Sequence, residues 1–220
     1  GEHDWWAKNR MPLYNEIANI PLFFYHPDFK QHQGEQRSLV TQNIDLMPTF
    51  LDMHNHSIPS EVKGKSLLNY LDKDAENKFT ALYGYWGGGI NITDGEFSYF
   101  HYPENFSQQN PDRYQYTLMP THMRQFFSNE ELQTATLHKP FDFTKDVPVL
   151  KINRIERKTD GGYKGFEDTK SALYNLQNDP GQLKPLVDEK KSKEYKQKMI
   201  DIINEYDPPD ELIKNYFKNN

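Results

Sequence analysis

The sequence contains no cysteine. Disulfides, thiolate metal sites and cysteine nucleophiles are therefore excluded within these 220 residues. Long apolar runs are lacking as well: no stretch approaches the roughly 20 apolar residues of a membrane span, and residues 1–20 hold no uninterrupted apolar core of a secretion signal. Positive charge is outweighed, with 26 Lys and Arg against 32 Asp and Glu, a formal charge of −6. An acidic chain is not drawn to a nucleic-acid backbone or an anionic membrane surface, so neither is expected as the main partner. The compartment stays open. Position 1 is Gly rather than Met, and a dense polar and aromatic run follows at once, which suggests a chain that begins within a longer protein.

What is present points to a folded chain. Aromatic residues reach 14% although the mean hydropathy is −0.94, too many for a disordered tail, and the length suits one sizeable domain or a small domain plus the edge of another. Residues 20–26, an apolar run ended by Pro27, read as a buried strand, and 37–41 as a second short one. A helix follows, with Asn43 or Asp45 as cap, Pro48 in its first turn, and Ile44, Met47, Phe50 and Leu51 at helical spacing. Leu67, Leu68 and Leu71 mark a shorter helix capped by Ser66. From residue 79 the pattern turns to strands: 79–86, 90–93, 96–102, 114–118, 149–152 and 171–175. Asp94-Gly95 predicts a hairpin with positive φ at both central positions. The end is helical again, with Ser192 as cap, Tyr195, Met199, Ile202, Ile203 and Tyr206 on one face, and a stop at Asp207-Pro-Pro. The expected architecture is α/β: residues 1–65 as the end of a larger mixed sheet with helices, then 66–220 as a subdomain with a small antiparallel sheet and a packed terminal helix.

Several residues are candidates for chemistry. In Gly1-Glu2-His3-Asp4-Trp5-Trp6-Ala7-Lys8 a histidine and a lysine bracket two tryptophans. Lysine is a compact point charge with three donors, and indole walls that exclude water strengthen its pull on an anion; a solvated surface lysine is the plainer reading. Trp86, beside the triple glycine 87–89, offers a face on which a sugar ring can stack, or else a buried aromatic. His122 and Arg124 place cationic groups together for the leaving-group side of a site, against a solvated turn. His54-Asn55-His56 reads as a helix-end loop rather than a metal motif, and the Lys-rich run 190–198 as the solvated face of the terminal helix. Asn91-Ile92-Thr93 and Asn105-Phe106-Ser107 fit the glycosylation sequon.

The order of these pieces resembles the sulfatase family of the alkaline phosphatase superfamily. Gly1-Glu2-His3-x-x-Trp6-Ala7-Lys8, Tyr14-Asn15-Glu16 and Ile20-Pro21-Leu22 are similar to the stretch that follows its Asp-His-Gly metal motif. Asp45-x-x-Pro48-Thr49-x-Leu51, Gly64-x-Ser66-Leu67, Thr93-Asp94-Gly95 and Leu173-Tyr174-x-Leu176-x-x-Asp179-Pro180 continue in the family's order. The resemblance implies that Lys8 is a sulfate ligand and that His3 lies at the edge of the active site, with Asp4 standing where the family usually has glycine. It also implies a formylglycine nucleophile, made from a Cys/Ser-x-Pro-x-Arg motif that this chain lacks, and a calcium-type divalent metal whose ligands lie in an N-terminal part of the same protein. The substrate so implied is a small-molecule or carbohydrate sulfate ester. A phosphonate or phosphodiester hydrolase of the same superfamily is the alternative within the family, and a non-catalytic carbohydrate-binding module the alternative outside it. By the same resemblance the isolated chain is expected to be inactive.

Overall fold

The computed structural model describes residues 2–4, 11–73, 79–84, 88–103, 114–119, 121–123, 125–153 and 169–217. The helices are α1 (Asn15–Ala18), α2 (Leu46–Met53), α3 (Asn129–Gln133), α4 (Glu189–Asn204) and α5 (Asp210–Tyr216). The strands are β1 (Ala81–Gly84), β2 (Ile90–Thr93), β3 (Phe97–His101), β4 (Tyr114–Thr117), β5 (Thr136–His138), β6 (Val149–Asn153) and β7 (Ala172–Asn175). The fold is mixed α/β with small antiparallel sheets. Two compact units share the chain: Gly1–Tyr102 with Asp168–Ile202, and Pro103–Glu167 with Ile203–Asn220.

The first unit is built on an antiparallel sheet of order β1-β2-β3-β7. Every residue of β3 is buried, because both faces of the sheet are covered there. On the face of Ser98 and Phe100, the ring of Tyr14 lies 5.5 Å from Phe100 and 6.2 Å from Tyr174 of β7. On the other face Tyr195 of α4 packs against Phe97 at 6.1 Å. The expected hairpin is present, but positive φ falls on Gly95 alone (φ 84°). The reason is Asp94, whose Oδ1 accepts the N–H groups of Glu96 (3.0 Å) and Phe97 (2.8 Å) and so stabilises a three-residue connection instead of a two-residue one. Its Oδ2 accepts the Tyr195 hydroxyl at 2.6 Å, tying α4 to the hairpin.

Helix α4 begins earlier than Ser192. Asp188 caps it, its Oδ1 taking the N–H of Lys191 at 2.9 Å while its carbonyl takes that of Ser192, which places Ser192 inside the first turn. Tyr195, Met199 and Ile203 form the buried stripe, whereas Tyr206 lies beyond the helix end and is exposed. Within the lysine run, Lys191 lies 3.7 Å over the Phe97 ring and Lys198 pairs with Glu194 at 2.8 Å.

Helix α2 is locked to the loop after it through buried polar groups. The Asp45 carboxylate, 6% exposed, accepts the N–H of Gln42 on Oδ2 and that of Lys65 on Oδ1, both at 2.8 Å. Thr49, wholly buried, donates its hydroxyl to the Asp45 carbonyl (2.6 Å) and accepts the Leu67 N–H (2.8 Å). Ser66 donates to Asp52 at 2.6 Å. A side chain at residue 64 has no room, since a Cβ there would stand 2.0 Å from the Ile44 carbonyl oxygen, so Gly64 is required by close backbone approach. The helix expected at 67–71 is a single 3₁₀ turn, Leu68–Tyr70.

Two expected strands are not strands. Residues 37–41 form no strand; the Arg37 guanidinium donates to the carbonyls of Tyr70 (3.2 Å) and Leu71 (2.9 Å). Residues 20–25 are largely exposed, with Phe23 92% accessible, and they join no sheet of the described residues. Among the described residues the apolar run has no partner strand, and most of it is left exposed.

The second unit holds an antiparallel sheet of order β4-β6-β5 with Phe127, Phe141, Val149, Ile152 and Phe217 buried. Strand β5 was not anticipated: two of its three residues are exposed, so no apolar alternation marks it. Lys151 on β6 lies 3.0 Å from Glu211 of α5 and 3.9 Å over the Tyr114 ring. Burial first, and then the Glu211 carboxylate that accepts its hydroxyl, push Tyr116 up to about 12.

Asp45→Asn removes charge-assisted acceptance of two backbone N–H groups and is expected to cost about 2 kcal/mol in urea unfolding of the chain; an unchanged midpoint contradicts the locking role. Tyr195→Phe is expected to cost about 1.5 kcal/mol near neutral pH. Burial, followed by Asp94, raises the Tyr195 hydroxyl above its ordinary value. The stability it gives is thus fully present below the unfolded value of about 10 and is lost as pH rises toward the folded one. The difference between wild type and variant should narrow above about pH 10; a pH-independent difference would argue against the assignment.

Candidate functional site

The described part of the candidate site begins at His3, in the 3₁₀ turn Glu2–Asp4. Both His3 (φ 53°) and Asp4 (φ 58°) have left-handed backbone. Glycine, usual in the family at the position of Asp4, takes this conformation freely, and aspartate is among the residues that tolerate it. The turn therefore survives the departure from the family pattern. The His3 imidazole stacks flat on Tyr14, with centroids 3.6 Å apart and planes within 2°. Its Nε2 makes no hydrogen bond with the described residues and stands 3.7 Å from Glu16 Oε2. Tyr14 in turn rests on the β3–β7 face, so the sheet fixes the ring on which His3 lies.

Tyr14, Glu16 and Gln182 were not singled out as site residues. Tyr14 and Glu16 lie within the family-like Tyr14-Asn15-Glu16, which was the available signal. Gln182 carried none. It follows β7 in a turn held by Asn175, whose Oδ1 accepts the N–H groups of Gln177 and Asn178, and by Asp179, whose carboxylate accepts those of Leu183 and Lys184. Within that turn Gln182, at φ 50°, accepts the Asn15 N–H on Oε1 at 2.6 Å. The late motif thereby positions the start of α1 and, through Tyr14, His3.

Lys8, Trp86 and Arg124 lie outside the described residues. His122 is described and belongs to the second unit, whereas His3 belongs to the first. The His122 Nε2 lies 2.8 Å from Glu131 Oε1, and its ring meets Phe127 edge-on at 4.5 Å. Glu131 also accepts the Ser128 N–H at 2.7 Å in the capping box of α3. Burial works to raise the Glu131 carboxyl, but the Ser128 N–H and His122 outweigh it and hold the group below its ordinary value. Its described neighbours thus fasten His122 to a helix start.

The other motifs resolve locally. His54, Asn55 and His56 form the exposed end of α2, with Asn55 at φ 54°. Asn91 of the first sequon is 1% exposed, and Asn105 of the second lies outside the described residues. Gly89 permits close approach: a Cβ there would stand 2.8 Å from the Tyr102 ring. Among the described residues no group of three or more His, Asp or Glu side chains assembles a metal site, and no described helix is long and apolar enough to cross a membrane.

Comparison with known proteins agrees with the sequence order. The family described as N-sulphoglucosamine sulphohydrolase, C-terminal, matches residues 1–105. An N-acetylglucosamine-6-O-sulfatase of Bacteroides thetaiotaomicron is 33% identical over 90 residues, 39% of this chain and 16% of that protein. An arylsulfatase of Clostridium perfringens is 36% identical over 75 residues, 33% of this chain and 15% of its own. A sulfatase-type protein from Bacteroides thetaiotaomicron, known from its crystal structure, aligns over 90% of this chain and 31% of its own with 18% identity and a TM-score of 0.49. The matched stretches are thus a small share of these relatives' length. The motif order, the matched family and the sulfatase relatives agree, and residues 1–105 match a sulfatase C-terminal region.

Proposed function

We propose that this chain is the C-terminal part of a hydrolase that cleaves sulfate esters of carbohydrates, and that it contributes an anion-binding lysine and one wall of the pocket. The match of residues 1–105 to a sulfatase C-terminal region carries this reading. The names of the relatives, among them an N-acetylglucosamine-6-O-sulfatase, favour an amino-sugar sulfate. In this reading the Lys8 ammonium holds non-bridging sulfate oxygens while charge builds on them, an electrostatic contribution that needs a fixed donor in a dry site. His3, held flat on Tyr14 with Nε2 3.7 Å from the Glu16 carboxylate, is proposed to turn that nitrogen toward the ester. Trp86, His122 and Arg124 are proposed as substrate contacts, with His122 acting only if substrate replaces Glu131 as its partner.

The described residues do not assemble a divalent-metal site, and the chain holds no formylglycine motif, so no step is derived through either group. Both belong, in this reading, to a preceding part of the same polypeptide. Residues 20–25 support such a part: Ile20, Leu22, Phe23 and Tyr25 are large and exposed within one short stretch that joins no sheet of the described residues, an apolar patch suited to being covered.

In the full-length protein, Lys8→Ala is expected to lower turnover of an aryl sulfate on the order of a hundredfold; wild-type turnover in that variant would remove Lys8 from the site. Aryl sulfate and aryl phosphonate assayed side by side decide the ester, and activity on the phosphorus ester alone sinks the sulfatase reading. The isolated 220-residue chain is expected to hydrolyse no aryl sulfate; turnover that depends on Lys8 would overturn the division of labour proposed here.

A further inference from the structure

Asn91 of β2 is 1% exposed, and neither the oxygen nor the nitrogen of its carboxamide has a hydrogen-bond partner among the described residues. Its neighbours explain the isolation. Asn91 lies opposite Tyr83 on one side and Phe100 on the other, so its side chain leaves the sheet on the face that Tyr14 covers. The Tyr83 hydroxyl is committed to Ser98 at 2.8 Å, and Phe100 has nothing polar to offer. Two residues back along the same face, Gly89 makes room for the Tyr102 ring. An amide withdrawn from water without compensation opposes folding, and an aliphatic side chain of like size would meet the same neighbours without that cost. The adjacent Ile92, wholly buried, shows what this strand carries where packing alone decides. Buried polar groups that the fold leaves unpaired are characteristic of places where a ligand completes the bonding.

The position of Asn91 gives that ligand a location. The described residues on either side of Lys8 lead to neighbours of Asn91. At one end His3 stacks on Tyr14, which rests on Phe100, the cross-strand neighbour of Asn91. At the other, Met11 Sδ takes the N–H of Gly89 at 3.2 Å, two residues from Asn91. We propose that Asn91 is a further substrate-binding residue: its carboxamide donates to and accepts from a hydroxyl or sulfo oxygen of the bound sugar sulfate. This rests on the sulfatase reading above. Ligand access needs the covering side chains to turn aside, a rotamer-scale change common on binding. A carboxamide suits such a task because it offers donor and acceptor together and stays neutral beside the anion.

The test compares wild type with Asn91→Leu in the full-length protein, using N-acetylglucosamine 6-sulfate and an aryl sulfate that lacks the sugar. The variant should unfold a few degrees above wild type, because an unpaired amide has been replaced by an apolar group of like size. Its KM for the sugar sulfate should rise about tenfold, and by more than its KM for the aryl sulfate. A variant that unfolds below wild type with both substrates affected equally makes Asn91 a packing residue and overturns the proposal, as does an unchanged KM. If Asn91→Leu does not fold, Asn91→Ala is read by the same ratio of KM changes. Wild type silent on both esters overturns the sulfatase reading itself, and is seen before any variant is compared.

Discussion

Strand β3 is buried along its whole length, and the arrangement of the first unit follows from keeping water off both of its faces. Neither neighbouring strand can do this, since β2 and β7 cover only its edges. One face is closed by the segment around Tyr14, the other by α4 through Tyr195. Covering the first face brings His3 to its place, because the imidazole stacks on the ring that seals the sheet. The candidate side chain is thus held by the same contact that completes the core. Burial provides the stability, and a flat aromatic stack adds the orientation that burial alone does not specify.

Several residues within the sulfatase-like motifs serve the backbone rather than the chemistry. Asp45, Thr49, Gly64 and Leu67 interlock α2 with the following loop through buried hydrogen bonds and one close backbone approach. Asn175 and Asp179 hold a turn by accepting main-chain N–H groups. Such residues are hard to exchange because a carboxylate or hydroxyl that satisfies a buried donor has few substitutes of the same shape. They mark the family's fold strongly and its substrate hardly at all.

What the sequence disclosed depended on whether a signal was local. The hairpin at Asp94-Gly95 was legible because a turn is specified by adjacent residues, yet its length was not, since that depended on the reach of one Asp94 oxygen to two N–H groups. The stripe Tyr195, Met199 and Ile203 was legible from its period, while the cap was misplaced because Ser192 and Asp188 both fit the local pattern. Strand β5, largely exposed, gave no alternation to read. Residues 20–26 had the composition of a core strand, but composition says nothing of where the partner strand resides. At the candidate site, His3 was singled out through its neighbours in a motif. Asn91 was passed over as half of a sequon, and only its unpaired carboxamide in the folded chain sets it apart.

The bond from the Asn15 N–H to Gln182 joins residues 167 positions apart in sequence. During synthesis the N-terminal segment leaves the ribosome first, but the group that fixes it arrives only after β7 and the turn beyond it have been made. Pairing of β3 with β7 waits on the same stretch. The polypeptide between, including β4, β5 and β6, is already outside by then and has sheet partners of its own. Assembly order is consequently the reverse of chain order for the segment bearing His3. A polypeptide cut short before residue 182 would carry every residue of that segment and still lack the side chain that holds it in place.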